Sequence, residues 1–106
     1  MKSRSLNLAS IRRILRNKNV CKAILFGSAA RGQDTRKSDL DIMIIRDTGK
    51  RFFDRFDEFN EIFEVAKGRG VDLLIYTPEE LQAIMHRPFI KRIPAEGKTI
   101  YERREK

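Results

Sequence analysis

The chain has 106 residues, of which 41% are hydrophobic. This is enough for one folded domain, expected over residues 1–106, and leaves no room for a second, substrate-binding domain. No apolar run approaches the roughly 18–20 residues that cross a membrane, and the basic N-terminus lacks the apolar stretch of a secretory signal, so we expect a cytoplasmic protein. The single cysteine excludes an internal disulfide and argues against a cysteine-based metal site. The net charge of +8 indicates polyanionic partners: nucleotides, nucleic acid or an acidic protein surface.

The first half of the chain predicts a helix and two strands joined by a polar loop. Apolar residues at helical spacing predict an amphipathic, arginine-rich helix over residues 6–18. The short apolar run 20–26, which stops at Gly27, predicts a buried strand. A helical turn is expected over residues 28–32, followed by a second strand over 39–46 that carries carboxylates at its start.

Aromatic residues dominate the next predicted helix. Phe52, Phe56, Phe59 and Phe63 follow one another at steps of four, three and four, which is the spacing of one helix face. The glycines of segment 68–70 are expected to end this helix. This phenylalanine stripe has two interpretations: its residues pack in the core, or some of them form an exposed surface that binds a partner.

The last third of the chain predicts a strand over 71–76, a helix start with a capping box at 77–80, and a closing edge strand over 98–101. Between them we expect a short irregular helix after Pro88 that is interrupted at Pro94. The element order predicts an α/β (α+β) fold: a small mixed sheet with helices packed on one face.

Three carboxylates are candidates for metal ligands and catalytic residues. Asp39 and Asp41 are two residues apart on a predicted strand, so both side chains should point to one face of the sheet. Asp72 begins another strand and joins them if the two strands are adjacent and in register. Because crowded carboxylates repel each other, we expect them to bind Mg²⁺, a hard cation that prefers oxygen ligands. Two such ions about 3.5–4 Å apart are a common device for displacement at phosphorus.

A candidate nucleotide-binding segment lies before these acids. Gly27 ends a predicted strand and permits close approach of a triphosphate to the backbone, while Ser28 and the free N–H groups of the following turn supply donors. Arg31 could neutralise phosphate charge. Either motif alone is weak evidence for a nucleotide site. Together they are stronger evidence, because ten residues separate the Gly-Ser pair from the Asp39-x-Asp41 pair and each pair adjoins a predicted strand.

The segments Phe26-Gly27-Ser28-Ala29-Ala30-Arg31-Gly32 and Ser38-Asp39-Leu40-Asp41-Ile42 resemble the signature of the DNA polymerase beta-type nucleotidyltransferase superfamily. In length the chain is similar to its minimal nucleotidyltransferase (MNT) branch. The resemblance implies a nucleotidyltransferase fold, catalytic metals on Asp39 and Asp41, a third carboxylate at Asp72, and nucleotide phosphates held by Gly27 and Ser28.

The resemblance also implies a partner and a reaction. Proteins of the MNT branch are commonly antitoxins of type VII toxin–antitoxin pairs, which transfer AMP from ATP to a tyrosine of a HEPN-type ribonuclease toxin encoded nearby. A hetero-oligomer with such a toxin is therefore expected, and the small size of the chain agrees, since it leaves no room for an acceptor-binding module. Two alternatives stay open: an antitoxin that acts by binding alone, and an enzyme that modifies a small molecule such as an aminoglycoside antibiotic. Direct binding of nucleic acid is possible through the basic N-terminal helix but is not favoured, because the sequence contains no nucleic-acid module.

Overall fold

The computed structural model describes residues 8–31, 39–66 and 68–104. The helices in this part of the chain are α1 (Leu8–Asn17), α2 (Asn60–Val65), α3 (Pro78–Ile84) and α4 (Pro88–Glu96), with 3₁₀ segments at Gly27–Ala29 and Phe52–Phe59. The strands are β1 (Lys22–Phe26), β2 (Leu40–Ile45), β3 (Val71–Tyr76) and β4 (Lys98–Glu102). The four predicted strands are all present, and the predicted bounds of β3 agree at both ends.

The four strands form one mixed sheet in the order β3-β2-β1-β4. β1 pairs antiparallel with β2 and with β4, whereas β2 pairs parallel with β3. The predicted mixed sheet is therefore confirmed, and β4 lies at an edge as expected.

Helices cover both faces of the sheet, so the prediction that they pack on one face only is wrong. α1 and α2 pack on the face that carries Ile42 and Ile44 of β2. α3 and α4 pack on the opposite face, where Ile24 of β1 and Met43 of β2 form a second apolar cluster with residues of both helices. The central strands are apolar on both faces, and such strands require cover on both sides.

α4 runs without interruption from Pro88 to Glu96, so the predicted break at Pro94 is also wrong. Pro94 lacks the N–H that would donate to the Ile90 carbonyl, so α4 loses one backbone hydrogen bond at this position but does not end there. The helix is also held to the sheet by Ile90 and Ile93, which are buried. It ends at Gly97, whose N–H donates to the Ile93 carbonyl at 2.8 Å.

The phenylalanine stripe is divided between core and surface. Its first part, Phe52–Phe59, is a 3₁₀ helix rather than an α-helix, and its last residue, Phe59, is fully buried. Phe53 is 79% exposed and Phe63 is 39% exposed. Core packing therefore explains Phe59, whereas binding of a partner by the exposed residues stays a prediction.

A buried arginine joins the 3₁₀ helix to the start of α3. Arg55, only 4% exposed, donates to the Ile75 carbonyl at 2.8 Å and, through both terminal nitrogens, to the Glu80 carboxylate at 2.7 and 2.9 Å. Glu80 also completes the predicted capping box with Thr77, which is confirmed. The Arg55 hydrogen bonds, followed by the backbone N–H of Thr77, lower the pKa of Glu80 to about 2. This interaction covers part of the exposed edge of β3 and fixes the phenylalanine-rich segment against the sheet.

Candidate active site

Parallel pairing of β2 with β3 places two of the predicted carboxylates side by side. In this register Asp41 lies directly opposite Asp72. The prediction for Asp72 required that the two strands be adjacent and in register, and both conditions are met. The apolar residues that flank Asp41, Leu40 and Ile42, are fully buried on the opposite face, which directs the carboxylate away from the main core.

Two glycines leave space for the acidic side chains. A Cβ atom on Gly27 would lie 2.3 Å from Asp41 Oδ2, and a Cβ atom on Gly70 would lie 2.3 Å from Asp39 Oδ1. Gly27 also has a φ of +76°, which disfavours any residue with a side chain. The carboxylates of Asp39 and Asp41 therefore occupy positions that only glycine neighbours permit.

The electrostatic environment of Asp41 shows that the carboxylates interact. Burial is the largest cause of a raised pKa at Asp41, followed by the charge of Asp72, a hydrogen bond with that side chain, and the charge of Asp39. An ionised Asp41 is thus disfavoured by both partial desolvation and like charges. The positive charge of a bound cation would offset both effects.

The three carboxylates have the chemistry of a divalent-cation site, but they are not arranged as a closed ligand cage. Across residues 8–31, 39–66 and 68–104, no group of three or more acidic, histidine or cysteine side chains is close enough to hold a metal ion as placed. The donor set nevertheless consists only of carboxylate oxygens, which fits Mg²⁺.

The predicted phosphate-binding segment forms a tight turn at the end of β1. Gly27–Ala29 is a single 3₁₀ turn, closed by the N–H groups of Ala30 and Arg31, which donate to the carbonyls of Gly27 and Ser28. The first N–H groups of such a turn point outward and have no partner within it. Because Phe26 pairs with Asp41, this turn begins beside the acidic pair. Two other residues of the signature, Gly32 and Ser38, lie outside the described residues.

Two clefts adjoin these elements. The larger has a volume of about 390 Å³ and contains both Asp41 and Asp72, with Phe56 and Phe63 among its apolar walls. The smaller, of about 120 Å³, contains Gly27 and Arg31.

Residues of α4 that were not predicted as site residues also line these clefts. Phe89 lines both clefts, and its ring packs edge-on against that of Phe26, with centroids 6.0 Å apart. Arg92 and Glu96 line the smaller cleft. Their positions, 89, 92 and 96, share one helix face, but the interruption predicted at Pro94 concealed this spacing.

Comparison with known proteins identifies the family. The family model described as Polymerase beta, Nucleotidyltransferase matches residues 9–106. The chain belongs to this nucleotidyltransferase family. It is 35% identical over 85 residues to "Putative protein adenylyltransferase MJ1379" of Methanocaldococcus jannaschii, an alignment that covers 76% of this chain and 77% of that protein. The nucleotidyltransferase assignment made from the Gly-Ser and Asp-x-Asp pattern is confirmed.

Solved structures share the fold of this nucleotidyltransferase. A toxin–antitoxin complex with AMP-PNP matches with a TM-score of 0.64 and 22% identity, covering 93% of this chain and 76% of that chain. A tri-AMPylated HEPN toxin of Shewanella oneidensis in complex with its MNT antitoxin matches with a TM-score of 0.59 and 19% identity, covering 92% and 71%. Within the described residues, no helix is long and apolar enough to span a membrane.

Proposed function

We propose that this nucleotidyltransferase transfers AMP from ATP to a hydroxyl group of a protein, namely a tyrosine of a HEPN-type ribonuclease toxin encoded beside it. The observation that carries the proposal is the pairing of Asp41 with Asp72 directly beside the Gly27 turn. This arrangement brings two carboxylates and backbone N–H donors together at one end of the sheet, where β1 ends and β2 and β3 begin. The similarity to a relative named as a protein adenylyltransferase supports a protein acceptor.

In the proposed reaction the acceptor oxygen forms a bond to the α-phosphorus of ATP while the bond from that phosphorus to the bridging oxygen of the β-phosphate breaks. Diphosphate leaves with the bonding electron pair, and the acceptor proton passes to Asp72 or to solvent. Asp39, Asp41 and Asp72 would hold two Mg²⁺ ions, which supply charge neutralisation for the triphosphate and acidify the acceptor hydroxyl. Gly27, Ser28 and Arg31 would hold the phosphates.

A protein acceptor also agrees with the exposed aromatic surface. Phe53 is largely exposed and packs edge-on against Phe52, and Phe63 lines the larger cleft near the acids. Exposed aromatic residues next to a site are typical of surfaces that bind another protein. The complex of an AMPylated HEPN toxin with an MNT antitoxin shows that a protein of this fold assembles with such an acceptor. Because ATP and the toxin are cytoplasmic in this scheme, the protein would act in the cytoplasm.

The test uses the full chain, α-³²P-labelled ATP, Mg²⁺ and the purified product of the neighbouring gene. We expect label on a tyrosine of that product, located by mass spectrometry, together with loss of its ribonuclease activity. The matched control is Asp41→Asn, which keeps the size of the side chain but removes the charge, and should transfer nothing.

Other results would replace the proposal. A tight complex that silences the ribonuclease without label would indicate an antitoxin that acts by binding alone. Label on an aminoglycoside, with none on the protein, would indicate a small-molecule nucleotidyltransferase. Equal labelling by the wild type and the Asp41→Asn variant would refute the assignment of the carboxylates.

A further inference from the structure

One face of α4 forms a wall of the smaller cleft, opposite the Gly27 turn. Phe89, Arg92 and Glu96 follow one another at steps of three and four residues, so their side chains lie in one row along the helix. All three line the same cleft as Gly27.

The position of this row is fixed by the opposite side of the helix. Ile90 and Ile93 are buried in the second apolar cluster, against Ile24 and Met43 of the sheet. The end of α4 also packs closely against the sheet, since a Cβ atom on Gly97 would lie 2.6 Å from the carbonyl oxygens of both Ile93 and Leu25. The side chain at position 92 is therefore carried by a rigid support, as a specific ligand contact requires.

Arg92 is held only weakly by its present partner. Its Nε lies 3.4 Å from Glu96 Oε2, and the two side chains are 68% and 53% exposed. An exposed pair one helical turn apart contributes little to stability, so Arg92 can exchange Glu96 for a stronger acceptor at small cost. A phosphate is such an acceptor, because a guanidinium donates two parallel hydrogen bonds to it.

We propose that Arg92 binds the terminal phosphate of the nucleoside triphosphate and thereby sets the preference for a triphosphate over a diphosphate. The inference rests on the proposed function, since it assumes that ATP phosphates follow the Gly27 turn. In the proposed reaction the α-phosphate would lie at Asp41 in the larger cleft, and the phosphates further from the nucleoside would extend past Gly27 into the smaller cleft, which Arg92 lines. Glu96 opposes this contact, because it competes for Arg92 and repels the phosphate.

The experiment measures equilibrium binding of ATP, ADP and inorganic diphosphate by isothermal titration calorimetry with Mg²⁺ and without an acceptor. Arg92→Ala should weaken ATP binding about tenfold or more, as expected for loss of a charged hydrogen-bonding group, and leave ADP binding within about twofold. Glu96→Gln should tighten ATP binding. Lys91→Ala is the matched control, because it removes a positive charge from the neighbouring exposed position of the same helix, which does not line either cleft.

Arg92→Lys separates charge from geometry, and an intermediate affinity is expected because lysine keeps the charge but cannot donate the paired hydrogen bonds. Circular dichroism checks that each variant is folded. Equal weakening of ATP and ADP by Arg92→Ala, or a loss no larger than that of Lys91→Ala, would overturn the assignment. These readouts do not depend on the acceptor, so a wild type that binds ATP but labels no protein would refute the proposed function alone.

Discussion

Replacing Gly27 by alanine separates the backbone role of this residue from its role in positioning a carboxylate. With a φ of +76°, Gly27 adopts a left-handed conformation that costs an alanine about 1–2 kcal/mol. Part of this cost is offset, since alanine also restricts the unfolded chain, by about 0.4–1 kcal/mol. We therefore expect a net loss of stability of about 1 kcal/mol, which lowers the melting temperature by roughly 4–8 °C in a domain of this size.

The effect on transfer should be much larger than the effect on folding. The new Cβ would lie 2.3 Å from Asp41 Oδ2, which is shorter than any ordinary contact. The carboxylate is the end of a side chain and can move away by about 1 Å without disturbing the core, so folding survives. A displacement of about 1 Å in a reacting group can lower the rate about 10²-fold, and we expect a loss of that size for Gly27→Ala.

The matched control is Gly68→Ala. Gly68 has a similar φ of +89°, but no atom lies within 4 Å of its would-be Cβ. Both variants should lose similar stability in thermal unfolding, whereas only Gly27→Ala should lose single-turnover transfer to the proposed protein acceptor. Normal transfer by Gly27→Ala, or an equal loss in Gly68→Ala, would show that transfer does not depend on the space that Gly27 leaves for the Asp41 carboxylate.

Three further variants test the surrounding groups. Because the raised pKa of Asp41 means that its ionised form is disfavoured in the folded state, Asp41→Asn should raise the melting temperature at pH 7 in EDTA while abolishing transfer; a lower melting temperature would contradict this. Gly70→Ala should reduce transfer by displacing the Asp39 carboxylate, with little loss of stability since no positive φ is involved; full activity would show that this carboxylate tolerates displacement. Glu80→Gln should lower the free energy of unfolding in urea at neutral pH by about 1–2 kcal/mol, because the buried Arg55 loses its charged partner. The loss is small for an ion pair because about half of the Glu80 side chain is exposed to solvent. Since the pKa of Glu80 is lowered from 4.5 to about 2, the greater stability of the wild type should be fully present above pH 4.5 and should disappear as the pH falls towards 2. A stability difference that does not change with pH would exclude the charge of Glu80 as its cause.

Local patterns predicted much of the fold, because each depends on residues close together in the chain. The bounds of β3 and the capping box at Thr77 and Glu80 follow from alternation and from hydrogen bonds within four residues. The predicted break at Pro94 was wrong because the tendency of proline to end a helix is judged from neighbouring residues alone. The burial of Ile90 and Ile93, which keeps α4 continuous, depends on strands distant in the sequence. The packing of helices on both faces of the sheet could not be predicted for the same reason, since it depends on contacts between distant segments.

The sequence alone predicted the groups that carry the chemistry and indicated the family of the chain. The spacing of the Gly27-Ser28 and Asp39-x-Asp41 pairs identified the family, since these residue types at this spacing have few other uses. The pairing of Asp72 with Asp41 became visible only in the folded chain, because strand order and register are set by contacts between segments far apart in the sequence. The same holds for Arg92, which lines one cleft with Gly27. Its position depends on how α4 packs on the sheet, and that packing depends on the apolar surfaces of both elements.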